Sequence, residues 1–114
     1  MLVLRFVETR FFTAQIQEIG GEEALRDLQD ALKLSPAAGD VIAGASGLRK
    51  VRFKLPGRGK SSGARAIYLL LPEIPCIVFV YLYAKARKTD LTAAEKSALR
   101  QVADDLKANQ RLIP

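Results

Sequence analysis

The distribution of hydrophobic residues along the chain predicts four β-strands. Each candidate is a short, mainly apolar run enriched in β-branched and aromatic residues. The four runs are Leu2 to Val7, Leu48 to Leu55, Ala64 to Leu71 and Cys76 to Ala84. The last run has almost no polar residue, so we expect a central strand that is buried on both faces. Side chains two residues apart share a side of a regular strand, which would group Ile77, Phe79, Tyr81 and Tyr83.

Three further segments have the hydrophobic spacing of amphipathic helices. Thr9 is a suitable cap for a short helix that reaches about Glu18. A second helix begins at Glu22, ends before Pro36 and carries leucines at intervals of three and four residues. The third helix, near the C-terminus, opens with a capping box from Thr92 to Glu95 and continues with a similar apolar stripe.

The segment between the second helix and the next strand, PAAGDVIAGASG, is rich in Gly and Ala and predicts a loop. We expect Val41 and Ile42 in this loop to pack against the core. A chain of 114 residues is long enough for a single hydrophobic core, so we expect one domain over residues 1–114. Helices and strands in this order predict an α+β fold.

The positive charge of the chain is concentrated in one region. The sequence has 18 Lys and Arg, 12 Asp and Glu, and a net charge of +6. Residues 41–72 contain seven of the cations and no acid, whereas the other 11 cations are balanced by the 12 acids. A concentrated positive field usually attracts a polyanion, so we interpret this region as a surface that faces nucleic acid.

Cations of this region alternate with apolar residues along the predicted strand from Leu48 to Leu55. Lys50, Arg52 and Lys54 therefore share one face, and the apolar side chains between them share the other. A plain solvated face is the alternative interpretation. Solvated faces usually mix both signs of charge, and residues 41–72 contain no acid.

Composition excludes several kinds of chemistry. The chain has no His, which rules out a zinc site and a His-based triad, and a lone cysteine, Cys76, cannot form an internal disulfide. We expect Cys76 to be a small core residue, and we expect no metal and no cofactor. The segment around Lys60 lacks the first Gly of a phosphate-binding loop.

The run from Ile74 to Ala84 is too short to cross a membrane, and the N-terminus lacks a signal-peptide pattern. We therefore expect a cytoplasmic protein.

Three segments of the chain, taken together, resemble a known family. They read GDVIAGASGLRKVRF, GRGKSSGARAIYLLL and VYLYAKARKTDLTAAE. Their order and spacing, over about Phe6 to Leu106, are similar to those of the RelE-like toxins of bacterial type II toxin-antitoxin systems, in particular the HigB branch. The resemblance implies a small antiparallel sheet of about four strands with two N-terminal helices and one C-terminal helix. It also implies a toxin that cleaves translated mRNA in the ribosomal A site.

The resemblance implies partners as well as an activity. They are a cognate antitoxin protein with a helix-turn-helix pattern, the ribosome and mRNA. Operator DNA would be bound only through the antitoxin complex, and no membrane is involved. The reaction needs no metal, because RNA carries its own nucleophile in the 2′-hydroxyl. A lysine crowded by like charges has a lowered pKa and can accept a proton in place of the missing His.

Site residues follow from the positions that match the family motifs. Lys50 and Arg52 resemble the family's pair of strand cations, and Arg65 resembles its phosphate-clamping arginine, a role that suits a forked donor. With Lys85, these residues form the catalytic candidates. The candidates for RNA binding are Arg49, Lys54, Arg58, Lys60, Tyr83 and Arg87.

The chain departs from the family pattern where the last strand ends. Ala86 stands where relatives often have a polar or basic residue, which leaves the leaving-group role to Lys85 or Arg87. No aromatic residue follows near Leu91, so Tyr83 is the candidate for contacting a base, and we expect an altered codon preference. Two alternatives to the nuclease stay open: a catalytically inactive RelE-fold protein that binds RNA or DNA, and a partner subunit whose cations receive an acidic antitoxin segment.

Overall fold

The computed structural model describes residues 3–55 and 63–114. These residues form a five-stranded mixed sheet with helices on both faces. The strands are β1 (Arg5–Glu8), β2 (Asp40–Val41), β3 (Arg49–Phe53), β4 (Ala64–Leu71) and β5 (Cys76–Ala84). The helices are α1 (Arg10–Ile19), α2 (Gly21–Leu34) and α3 (Ala93–Ala108), and a 3-10 turn, Gln110–Leu112, follows α3. This arrangement confirms the predicted α+β fold.

The order of the strands in the sheet is β1, β5, β4, β3, β2. All neighbours are antiparallel except β1, which runs parallel to β5. The predicted sheet was wholly antiparallel with about four strands. The observed sheet differs from it in having a fifth strand and one parallel pair. The additional strand, β2, has only two residues, so it leaves no periodic pattern in the sequence. Within it Val41 is 58 % exposed, so the prediction that Val41 packs against the core is wrong, whereas Ile42 does pack there.

Helices α1 and α2 cover one face of the sheet. The hydroxyl of Thr9 accepts a hydrogen bond from the Phe12 N–H (3.1 Å), which confirms the predicted cap. The chain then turns into α2 at Gly21, whose φ of +65° favours glycine. Phe12 and Leu28 are buried against the sheet on this side.

Helix α3 covers part of the opposite face. Its capping box is present as predicted: the Thr92 hydroxyl accepts from the Glu95 N–H, and the Glu95 carboxylate accepts from the Thr92 N–H. The apolar stripe of α3 packs against β4 and β5, where Cys76 is fully buried as expected of a core residue. No helix in the described ranges is long and apolar enough to cross a membrane.

A β-bulge in β5 changes which side chains lie together. Ile67 is opposite Tyr81, but the next residue of β4, Tyr68, is opposite Phe79, so Val80 is an extra residue. Both Val80 and Tyr81 consequently contact the α3 side. The predicted grouping on β5 is therefore wrong: Ile77 and Phe79 pack toward α1 and α2, whereas Tyr81 and Tyr83 pack toward α3. A continuous apolar run cannot show this extra residue, because side chains on both faces are hydrophobic.

Candidate nucleic-acid interface

Antiparallel pairing brings cations from two strands into one row at the end of the sheet. Arg52 on β3 lies directly opposite Arg65 on β4, and Arg65 lies opposite Tyr83 on β5. Their neighbours Val51 and Ala64 pack toward α1 and α2, so Arg52 and Arg65 extend on the α3 side. The predicted separation of a cationic and an apolar face on β3 is confirmed.

The Arg52–Arg65 pair is unfavourable for the sheet itself, because like charges directly opposite each other repel. Arg52 is exposed and Arg65 is half-buried. Among the described residues, no carboxylate oxygen lies within 4.0 Å of either guanidinium. Two forked donors without an internal acid are suited to bind an external anion such as a phosphate.

Lys50 lies on the same face, two residues before Arg52, and is paired with an acid. Its Nζ is 3.3 Å from Oδ1 of Asp90, in the segment that leads into α3. The same oxygen accepts a hydrogen bond from the Leu91 N–H. This bond is the main cause that lowers the pKa of Asp90, and Lys50 is the second cause. The pair lies in a cleft of about 370 Å³ between β2 and the start of α3, which Lys96 also lines.

Glu95 connects the start of α3 to β5 and to the segment that follows β5. Its Oε1 accepts hydrogen bonds from Lys88 Nζ (2.8 Å) and the Thr92 N–H (2.8 Å), and its Oε2 accepts from the Tyr81 hydroxyl (2.6 Å). These bonds lower the pKa of Glu95 to about 2, and the bond from Lys88 has the largest effect. Burial, and then the bond to Glu95, raises the pKa of Tyr81 to about 12.

Tyr83, the candidate for contacting a base, is 5 % exposed. Its hydroxyl is buried and has no hydrogen-bond partner among the residues that the structure describes. Burial, followed by the charge of Asp90, raises the pKa of this hydroxyl, and Arg65 acts in the opposite direction. Tyr83 therefore lies opposite Arg65 in the sheet, but its ring is not exposed to solvent for stacking.

Arg49, a candidate for RNA binding, extends on the opposite face of the sheet. It pairs with Tyr68 across β3 and β4, and its guanidinium donates to the carbonyl oxygens of Gly39 (2.8 Å) and Ala37 (3.2 Å). The buried Tyr68 hydroxyl accepts from the Gly39 N–H (2.9 Å) and donates to the Pro36 carbonyl (2.8 Å). Arg49 thus holds the loop after α2 and is not brought together with Lys50 and Arg52.

The other candidates lie around the end of the sheet or outside the described residues. Lys54 is exposed just after β3. The Lys85 N–H donates to the Gly63 carbonyl (2.9 Å), which places Lys85 at the same end of the sheet as Arg65, and Arg87 is exposed in the turn that follows. Arg58 and Lys60 fall outside the described residues. Within residues 3–55 and 63–114, no three His, Cys, Asp or Glu side chains are grouped to hold a metal ion.

Sequence reasoning missed the acids of this site. The capping box identified Glu95 as a helix cap, but nothing in the sequence indicated its bonds to Lys88 and Tyr81. Asp90 and Lys50 are 40 residues apart, so their contact has no local pattern. Only the position of Asp90 just before a capped helix could have indicated that its carboxylate is held near the sheet.

The fold and the site define a small α+β protein with a cationic surface at one end of a mixed sheet. The chain belongs to the RelE toxin family: residues 11–112 match the family described as the RelE toxin of the RelE/RelB toxin-antitoxin system. Among solved structures it is similar to a double arginine-to-alanine variant of the E. coli toxin RelE in the free state. The two share 15% sequence identity with a TM-score of 0.60, over 85% of this chain and 97% of that one, which supports the fold.

Proposed function

We propose that this protein is a toxin of the HigB branch that acts as a ribosome-dependent endoribonuclease on translated mRNA. The observation that carries the proposal is the Arg52–Arg65 pair. Two arginines directly opposite each other destabilise a sheet, and a bound phosphate would offset that cost. Membership of the RelE toxin family supports the same conclusion.

The site residues suggest how the reaction proceeds without a metal. The 2′-hydroxyl oxygen attacks the adjacent phosphorus, a 2′,3′-cyclic phosphate forms, and the bond to the 5′-oxygen breaks. Arg65 and Arg52 hold the phosphate and, with the Lys50 ammonium, balance the charge that develops on it. Because Lys50 already holds a carboxylate, Lys54 is the candidate that accepts the 2′-hydroxyl proton. Lys85 supplies a proton to the departing 5′-oxygen.

Family membership supports an antitoxin partner, and the other partners are part of the proposal. A RelE toxin is paired with an antitoxin, here proposed to be a helix-turn-helix protein. The ribosome and mRNA are the proposed targets in the cytoplasm, and operator DNA is reached only through the antitoxin complex. Arg87 would contact the RNA backbone beside the reacting phosphate, where its charge raises affinity at low salt.

The proposal is tested by expressing the wild-type chain and Arg65→Ala in a bacterial host. We expect the wild type to arrest growth and to produce new 5′ ends within translated messages, and Arg65→Ala to relieve both effects. Loss of one donor to the transition state lowers a rate by about 100-fold to 1000-fold. Arg26→Ala is the matched control, because Arg26 is an exposed arginine on α2, on the other side of the sheet.

Normal growth and intact messages, from wild-type protein shown to be soluble and folded, would contradict the nuclease proposal. That result would favour an inactive RNA- or DNA-binding protein of the same fold. Ala86 supports this second candidate, because it leaves an exposed methyl group in the turn after β5 where relatives often have a polar side chain.

A further inference from the structure

We propose that Asp90 is a positioning residue that holds the Lys50 ammonium in place for the reaction at the Arg52–Arg65 pair. This inference rests on the proposed function and adds a residue that acts through Lys50 rather than on the RNA.

The contact between the two side chains is direct and involves a fixed acceptor. Oδ1 of Asp90 lies 3.3 Å from Lys50 Nζ and accepts a hydrogen bond from the Leu91 N–H at 2.8 Å. The backbone bond fixes the carboxylate, and the lysine side chain, which has four rotatable bonds, reaches it. The lysine side chain is 31% exposed and the carboxylate 70%, so the ammonium is the more enclosed partner.

The segment that presents Asp90 is itself anchored on both sides. Before it, Lys88 Nζ donates to Glu95 at 2.8 Å. After it, the Thr92 N–H donates to the same carboxylate oxygen, and Tyr81 of β5 donates to the other one. These bonds connect the segment from Lys88 to Thr92 to α3 and β5, so Asp90 has a defined position relative to the sheet. Lys50 is therefore held between its own strand and the start of α3.

Electrostatics argues that this acid acts on Lys50 and not on RNA affinity. A carboxylate within a cationic surface repels the phosphates of RNA, so by charge alone its removal should strengthen binding. An interaction that orients a reacting group affects the rate instead, because a displacement of about 1 Å costs about 100-fold. If Asp90 only repels RNA, replacing it should tighten binding and leave cleavage unchanged or faster. If Asp90 orients Lys50, replacing it should slow cleavage.

The test is Asp90→Asn, in which the amide oxygen can still accept from the Leu91 N–H while the charge is lost. Three quantities are measured on the purified protein. They are the order parameter of the Lys50 side chain by NMR, single-turnover cleavage of mRNA on programmed ribosomes, and affinity for a labelled single-stranded oligoribonucleotide. We expect the Lys50 side chain to become flexible and cleavage to slow by about 10-fold to 100-fold. Affinity for the oligoribonucleotide should stay equal or become tighter.

A matched control comes from the other side of the molecule. Asp30 lies 3.7 Å from Lys33 on α2, and both side chains are exposed. Asp30→Asn removes the same charge from a lysine outside the site, so it should change none of the three quantities. Asp90→Glu, which keeps the charge, should restore part of the cleavage rate.

Two results would overturn the proposal. The first is a Lys50 side chain that is equally ordered in wild type and Asp90→Asn, which can be established whether or not the protein is a nuclease. The second is a more flexible Lys50 together with unchanged or faster cleavage, which would mean that Asp90 only competes with phosphate. If the wild type does not cleave mRNA at all, the proposed function fails, and the order parameter alone decides whether Asp90 holds Lys50.

Discussion

Protonation of Glu95 should weaken the fold at acid pH. Three donors from Lys88, Thr92 and Tyr81 hold this carboxylate ionised, and they lower its pKa from 4.5 to about 2. A carboxyl group whose pKa is lowered in the folded state stabilises the protein above the pKa of the unfolded chain. That contribution is lost as the pH falls from about 4.5 toward about 2.

The size of the effect follows from the pKa and the exposure of the side chain. The difference between 4.5 and about 2 corresponds to about 3 kcal/mol of unfolding free energy, at about 1.36 kcal/mol for each pH unit. The Glu95 side chain is 26% exposed, so solvent screens part of each interaction. We therefore expect Glu95 ionisation to contribute about 1–2 kcal/mol at neutral pH.

The assay is urea unfolding of wild type and Glu95→Gln at a series of pH values from neutral to about 2.5. Gln can still accept from the Thr92 N–H, so the variant removes the charge and keeps the cap. We expect the wild type to be more stable at neutral pH and the difference to disappear at the acid end. Glu73→Gln, in the exposed turn between β4 and β5, is the control and should leave the pH dependence unchanged.

Two observations would refute the reasoning about Glu95. One is an NMR titration of the folded protein in which the Glu95 carboxyl carbon titrates near the unperturbed value of 4.5. The other is a parallel loss of stability in wild type and Glu95→Gln through the acid range. Either result would mean that the bonds from Lys88 and Tyr81 are too screened to stabilise the ionised form.

Two further predictions concern the core on the side of α1 and α2. Tyr68→Phe should reduce the free energy of unfolding, measured in urea, by about 1–3 kcal/mol, because the buried N–H of Gly39 loses its acceptor. No measurable change would show that this N–H finds another partner. Leu28→Ala should cost about 2–5 kcal/mol in the same assay, since Leu28 is 1% exposed. Leu34→Ala, at a leucine of the same helix that is 90% exposed, should cost less than about 0.5 kcal/mol, and equal costs would contradict the burial argument.

Much of the fold was predictable because its elements have local signals. Thr9 and Thr92 cap their helices through side-chain bonds that a short motif encodes. The parallel edge strand β1 and the bulge at Val80 were not predictable. Both depend on which strand lies beside which, and an apolar run carries no information about its partner.

The site was predictable only where it follows from alternation along one strand. Lys50 and Arg52 share a face because β3 is regular, and the sequence shows this directly. The Arg52–Arg65 pair depends on the register between β3 and β4, across a connection that includes residues outside the described ranges. The burial of Tyr83 and the contact of Asp90 depend on tertiary packing, which no local pattern encodes.

The point at which α3 begins links the stability of the fold to the proposed site. A helix N-terminus favours negative charge, and here Asp90 and Glu95 lie just before it and in its first turn. Each of these acids also forms a salt bridge with one lysine. Asp90 pairs with Lys50 of β3, and Glu95 pairs with Lys88 of the segment after β5. Glu95 thus completes the cap of α3 and binds Lys88, while Asp90, two residues before the cap, binds Lys50 on the strand that carries Arg52.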